Sequence, residues 1–106
     1  MIIVDAPGTL LEWSRNWEPR WRRLSIEAGL RLPEKPAINK AVVTLETESH
    51  VASVTVWGSG TLEFIVLELA TQREVIMMDK EYRTARELLI LLDDCAGAFS
   101  SLVRTT

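Results

Sequence analysis

The sequence has few of the residues on which catalytic and metal sites usually depend. Its 106 residues include one cysteine, Cys95, and one histidine, His50. A single thiol cannot form an internal disulfide, which agrees with a reducing compartment. The sequence contains no phosphate-binding glycine loop, no metal-ligand cluster and no nucleophile elbow. Cys95 lies in an apolar helical stripe, where a thiol is usually a small core side chain. We therefore expect a protein that is not an enzyme and that has no cofactor, no catalytic residue and no metal site.

Long apolar runs are also missing. No stretch approaches the roughly 20 residues needed to cross a bilayer, and the start MIIVDAPG lacks the basic and apolar regions of a signal peptide. Hydrophobic residues nevertheless make up 47% of the chain, enough for a core. We expect a single cytoplasmic domain over residues 1–106 that does not bind membranes.

Basic charge is scarce in the second half of the chain. Residues 1–40 carry a net charge of +2, whereas residues 41–94 carry −6. An acidic body argues against nucleic acid as the main ligand. It suits a basic protein partner through electrostatic complementarity, although the same acids could simply solvate a small domain.

A tryptophan-bearing stripe predicts an N-terminal helix over residues 9–29. Thr9 and Glu12 have the spacing of a capping box. Apolar residues then recur at intervals of three and four: Leu10, Trp13, Trp17, Trp21 and Leu24. Pro19 lies within the stripe, so we expect a kink or a break into two shorter helices. Gly29 is the expected helix stop.

Four runs rich in β-branched and aromatic residues predict a sheet over residues 40–79. Their short connections make neighbouring strands antiparallel. Thr84 and Glu87 form a second capping pattern ahead of a long apolar stripe, which predicts a C-terminal helix over residues 84–103. The predicted fold class is α+β, a four-stranded antiparallel β-meander flanked by an N-terminal and a C-terminal helix (α-β-β-β-β-α).

The segment from His50 to Leu69 predicts a hairpin with two different faces. With a loop at residues 58–60, the register pairs apolar residues on one face: Val56 with Leu62, Val54 with Phe64, and Ala52 with Val66. A slip of one residue would mix apolar and polar positions. We expect the helices to cover this apolar face, and Trp57, Thr55 and Glu63 to lie together on the other face or its rim.

Trp57 and its acidic neighbours are the candidate binding residues. Tryptophan is enriched at the centres of protein interfaces, and an exposed indole beside Glu63, Glu46 or Glu68 would form a protein-binding patch. The alternative is that Trp57 covers a helix end or a sheet edge.

The arginines among the N-terminal tryptophans allow two interpretations. They could bind single-stranded nucleic acid or a lipid surface. The helical spacing of the tryptophans favours packing on the sheet, with the arginines in water. Loss of heparin or oligonucleotide binding on charge reversal at Arg20, Arg22 and Arg23 would support the first interpretation.

From Lys40 to about Phe99 the chain resembles the TriTu-type immunity proteins of bacterial polymorphic-toxin systems. The resemblance lies in an order of features, and the pieces that carry it are VVTLE at 42–46, ASVTVWGSG at 52–60, LEFIVL at 62–67, TQRE at 71–74 and the closing amphipathic helix. It implies a stoichiometric inhibitor that binds its cognate toxin 1:1 and blocks the toxin's active site. The toxin implied is an ADP-ribosyltransferase acting on a translation factor.

A secretion chaperone is the alternative. Such proteins are also small, acidic and free of cofactors, and they usually dimerise around an unfolded effector segment. An immunity protein should bind a folded toxin in a compact complex. Neither function implies a small-molecule substrate.

Overall fold

The computed structural model describes residues 2–35 and 37–104 and forms them into two helices and five strands. In chain order these are α1 (Ala6–Arg23), β1 (Glu27–Arg31), β2 (Lys40–Glu46), β3 (His50–Trp57), β4 (Thr61–Glu68), β5 (Arg73–Glu81) and α2 (Ala85–Arg104). The class is α+β, as predicted, but the sheet has five strands rather than four. The outermost residues of the predicted domain, Met1, Thr105 and Thr106, lie outside the described residues.

The sheet is an antiparallel meander with strand order β1-β2-β3-β4-β5. The register of β3 with β4 is the expected one, with Val54 opposite Phe64 and Thr55 opposite Glu63. The structure confirms this prediction. It could be made because the apolar residues alternate with a period of two on both sides of a glycine turn. Gly60, in that turn, has φ +121°, a conformation that favours glycine.

Both helices pack on one face of the sheet. The core combines apolar side chains of β2, β3 and β4 with those of the helices, including Leu10 and Trp21 of α1 and Leu88, Leu92 and Phe99 of α2. The side chains of Val43, Val54 and Phe64 are at most 1% exposed. Trp13 and Trp17 both donate their indole N–H to Asp93 Oδ1, at 3.1 and 2.9 Å, which joins the two helices.

The start of α1 was predicted wrongly. The helix begins at Ala6, with Asp5 as its N-cap accepting from the Gly8 N–H at 3.3 Å. Proline in the first turn supports this start, because its missing donor costs nothing there. Asn39 also holds this end, accepting from the Ala6 N–H and donating to the Val4 carbonyl, both at 2.8 Å. Thr9 is therefore inside the helix and does not cap it.

Of the kink or break predicted at Pro19, the break is wrong, since α1 runs through this residue to Arg23, and the kink stays a prediction. Packing of the tryptophans offsets the lost backbone hydrogen bond. Trp13 and Trp21 meet edge to face with ring centroids 5.5 Å apart, and both are buried. Burial of two indoles on either side of the proline holds the helix together.

The predicted helix end at Gly29 is also wrong. The helix stops at Arg23, Ser25 takes φ 56°, and the Ile26 N–H bonds to the Trp21 carbonyl at 2.8 Å. Together with the bond from Ser25 N–H to the Arg22 carbonyl, this is a Schellman motif, with serine at the position glycine usually occupies. Gly29 lies in the middle of β1, the strand that the sequence did not predict.

The C-terminal helix is close to the prediction, and β5 is longer than predicted. Helix α2 begins after Thr84, whose hydroxyl accepts from the Glu87 N–H at 3.1 Å. The Glu87 carboxylate reaches back to the Arg83 N–H at 2.7 Å. Strand β5 extends to Glu81 and carries a bulge opposite Val66 and Leu67. Within the described residues, no helix is long and apolar enough to cross a membrane.

Candidate functional site

One face of the sheet is left uncovered by the helices, and we call it the open face. Its side chains come from alternate positions of all five strands, because successive residues of a strand point to opposite faces. The registers arrange the central part in two rungs: Arg31, Val42, Thr55, Glu63 and Asp79, then Gly29, Thr44, Ser53, Ile65 and Met77. The two flanking rungs are Glu27, Glu46, Val51, Leu67 and Glu74, and Lys40, Trp57, Thr61 and Glu81.

Several apolar side chains of the open face are only partly shielded. Val42, Val51, Ile65 and Leu67 are half-buried, and Met77 is 62% exposed. These side chains pack against their strand neighbours, whereas the opposite face of the same strands is covered by the helices. One solvated face is common in antiparallel sheets, and partly exposed aliphatic residues on such a face supply area that another molecule could cover.

Carboxylates are the commonest charged groups of the open face. Among the described residues of the open face, six are acidic and two are basic, Arg31 and Lys40. Two pairs of carboxylates face each other directly across neighbouring strands, Glu63 with Asp79 and Glu27 with Glu46. Like charges directly opposite each other destabilise a sheet. The ion pairs found in the described part of the chain include none of these four carboxylates.

Trp57 lies at one end of the open face. Its indole is half-buried, and the Lys40 ammonium lies 5.3 Å from the ring centroid, a cation–π distance. The backbone around it is fixed, because the Tyr82 hydroxyl donates to the Trp57 carbonyl at 2.6 Å. Trp57 therefore lies at this end of the open face on a fixed backbone, beside Thr55 and Glu63 as expected from the register.

The five candidate residues are only partly brought together. Trp57, Thr55 and Glu63 are neighbours, with Thr55 the most buried at 8% exposure. Glu46 shares the open face but pairs with Val51, six residues from Trp57 along β3. At about 3.4 Å per residue it is about 20 Å from the tryptophan.

Glu68 belongs to the other side of the sheet. It pairs with His50, and the side chains at even positions of β4 point to the helix-covered face. The Glu68 carboxylate accepts from the Thr71 hydroxyl at 2.9 Å. It therefore cannot share a patch with Trp57 and Glu63.

His50 has polar neighbours that resemble a catalytic arrangement only in residue type. Ser49 Oγ lies 2.8 Å from His50 Nδ1, and Glu68 Oε2 lies 3.9 Å from Nε2. The second distance exceeds hydrogen-bond reach. The ring is 2% exposed, and the His50 N–H bonds to Thr47 Oγ1 at 3.1 Å in the β2–β3 turn. Ser49 thus gives Nδ1 of the buried imidazole a hydrogen-bond partner, and Thr47 holds the backbone of the turn.

Cys95 is unsuited to nucleophilic chemistry. It is 1% exposed, and burial, together with the nearby Asp94 carboxylate, raises the pKa of the thiol to about 12. The thiolate is the reactive form, so the side chain is inert near neutral pH. The hydrogen bonds and ion pairs of His50 are to Ser49, Thr47 and Glu68, and none is to Cys95. Within the described ranges, no group of three potential ligands could hold a metal ion.

The N-terminal arginines are engaged on the helix surface. Arg20 stacks over Trp17 at 4.4 Å, Arg22 pairs with Glu18, and Arg23 Nε donates to the Pro19 carbonyl at 3.2 Å. The three lie in the last turn of α1, where cations balance the negative end of the helix dipole. This placement favours the packed interpretation of the tryptophan–arginine stretch.

Sequence comparisons add no identification. No protein-family model matches the chain, and no curated protein shows significant similarity to it. The grounds for a function are therefore the open face itself and the order of features along the chain.

Proposed function

We propose that this protein is a cytoplasmic binding protein whose open face docks on a basic surface of a partner protein. The observation that carries the proposal is the Glu63–Asp79 pair beside the partly shielded apolar side chains. The pair opposes folding, and a lysine or arginine of a partner would convert the repulsion into two favourable contacts. The apolar residues next to the pair supply area that a partner would remove from water.

The order of features shared with TriTu-type immunity proteins specifies the kind of partner. We infer that the partner is a cognate secreted bacterial toxin of the ADP-ribosyltransferase type, bound at one toxin per chain. The protein would inhibit by covering the active-site cleft and would need no catalytic residue. Trp57 at one end of the open face suits this role, because its backbone is already fixed and little ordering entropy is lost on binding.

Co-expression with the toxin encoded immediately upstream tests the function. Growth of the host cell should be rescued by the wild-type chain, because a bound toxin cannot act on its target. Absence of rescue, with both proteins detectable, would remove the immunity proposal.

A binding measurement with a matched control tests the surface. Trp57→Ala combined with Glu63→Lys should weaken toxin binding by at least about 100-fold, since it removes an aromatic contact and reverses a charge at the interface. The control is Glu12→Lys, the same charge reversal on an exposed position of α1. Equal affinities of the two variants would show that the open face is not the interface.

The composition of the complex separates the proposal from the chaperone alternative. A folded toxin domain should be bound and inhibited by the wild-type chain. Binding to an unfolded N-terminal segment of an effector, with no affinity for the folded domain, would identify a secretion chaperone instead.

A further inference from the structure

The two edges of the sheet differ in their fitness for pairing with another strand. Among the described residues, strands β1 and β5 each have a hydrogen-bonded neighbour strand on one side only. Each therefore presents unpaired backbone N–H and C=O groups to its outer side, which are a template for strand addition. The sequence of the edge strand decides what can add to it.

Strand β1 is complementary to itself. An antiparallel pair of two β1 strands centred on Gly29 places Glu27 opposite Arg31 of the second copy, and Ala28 opposite Leu30. Glu27, Gly29 and Arg31 all point to the open face, and Ala28 and Leu30 point to the other face, so each pair meets on the same side of the joined sheet. We propose that the protein forms a two-fold dimer through β1, making one continuous ten-stranded sheet.

The charges of β1 are unmatched within one copy. Glu27 faces Glu46 across the β1–β2 pair, and Arg31 faces Val42. In the described part of the chain neither side chain takes part in an ion pair. Pairing of the two copies would give both groups an opposite charge, and it would do so twice because of the two-fold symmetry.

Apolar groups at this edge would also gain cover. Leu32, which follows β1, is 54% exposed and would lie opposite Ile26 of the second copy in the same register. Leu11 of α1 is 37% exposed and lines the groove between α1 and β1 together with Leu30. Two such grooves would face each other in the dimer, so the helices as well as the strands would meet.

The other edge does not offer the same match. In β5, pairing about Met77 would set Arg73 opposite Glu81, but these side chains lie on opposite faces. Glu81 pairs with Thr61 and Arg73 with Glu68, and the bulge between these pairs reverses the alternation. Bulges and charged side chains are the usual protection of an edge against strand addition.

The dimer is independent of the proposed function. A two-fold axis perpendicular to the sheet leaves both open faces accessible on the same side. Each copy could still bind one toxin, so a dimer alone would not distinguish the immunity protein from the chaperone.

Charge reversal at the two positions of β1 gives a direct test by sedimentation of the full chain. The wild type should sediment at about 24 kDa, twice its 12.0 kDa mass. Glu27→Arg and Arg31→Glu should each weaken the dimer by about tenfold or more, because two attractive pairs become repulsive. The Glu27→Arg chain should still fold, since the new arginine would face Glu46 of its own chain.

Restored dimerisation would show that the charge pairs between the two β1 strands are responsible. Mixing the two variants should restore association, because each reversed charge then meets its opposite, and the double variant Glu27→Arg/Arg31→Glu should dimerise like the wild type. Glu81→Arg on β5 is the control and should leave the dimer unchanged. A wild type that is monomeric at millimolar concentration, reversals without effect, or no restoration on mixing would overturn the proposal.

Discussion

The two faces of the sheet are built from the same strands but in opposite ways. The covered face places Val43, Val54 and Phe64 under the helices with almost no exposure. The open face places half-buried aliphatic residues among carboxylates, two pairs of which face each other across neighbouring strands. The first arrangement stabilises the fold, whereas the second opposes it locally. A surface that keeps a destabilising feature points to a role outside folding.

Truncation of two neighbouring residues, one on each face of the sheet, should give the largest difference in the free energy of unfolding. Phe64→Ala should lower the free energy of unfolding by about 3–5 kcal/mol, because it leaves a cavity under the helices. Ile65→Ala, the next residue and on the open face, should cost about 1 kcal/mol or less, since the site is already open to water. Urea unfolding of both variants measures this, and similar costs would contradict the assignment of the faces.

Removal of the Asp93 carboxylate, which accepts hydrogen bonds from α1, should have the next largest effect on the free energy of unfolding. Asp93→Ala deprives the Trp13 and Trp17 indole N–H groups of their shared partner, with an expected loss of about 2 kcal/mol. Asp94→Ala, at the neighbouring exposed position, should change stability by no more than about 0.5 kcal/mol. Thermal unfolding of the pair gives the comparison. Equal losses would mean that Asp93 does not hold the helices over the covered face.

A substitution at Ser25, in the turn that joins α1 to β1, should stabilise the protein. Ser25→Gly should raise the free energy of unfolding by about 1 kcal/mol, because serine is strained at φ 56° and glycine is not. Ser14→Gly, within α1, should instead lower it by about 1 kcal/mol. Urea unfolding should reveal the opposite signs. Destabilisation by Ser25→Gly would argue against the Schellman motif.

The smallest stability effect is expected on the open face itself. Glu63→Lys should stabilise the isolated protein by about 0.5 kcal/mol, because the new ammonium would face Asp79. The same change should weaken partner binding, so stability and function would move in opposite directions. Glu12→Lys provides the control for net charge. A clear loss of stability in Glu63→Lys would mean that the Glu63–Asp79 pair is not repulsive.

Sequence patterns predicted the centre of the fold better than its edges. The β3–β4 register followed from strict alternation around a glycine turn, so Trp57, Thr55 and Glu63 were placed together correctly. Strand β1 was missed because its sequence, EAGLR, has little strand character and follows a helix stop with serine in place of glycine. It becomes a strand by pairing with β2, a long-range effect that local propensity does not contain.

Features of the site that depend on contacts between residues far apart in the sequence could not be predicted either. Glu63 faces Asp79 only in the register that β5 adopts around its bulge, and no local pattern marks that bulge. The role of Asp93 was also invisible in the sequence, because its bonds to Trp13 and Trp17 span more than seventy positions of the chain. Glu68 does not lie beside Trp57 and Glu63 for a simpler reason, since even-numbered residues of β4 point to the helices.

A methyl NMR spectrum of the protein with the toxin proposed as its partner tests the central claim most directly. Binding through the open face should shift or broaden the methyl signals of Val42, Val51 and Ile65. The signals of Val43 and Val54, on the covered face of the same strands, should move far less. Shifts confined to the exposed α2 residues Leu89 and Ile90, with the open-face methyl groups unchanged, would contradict the claim.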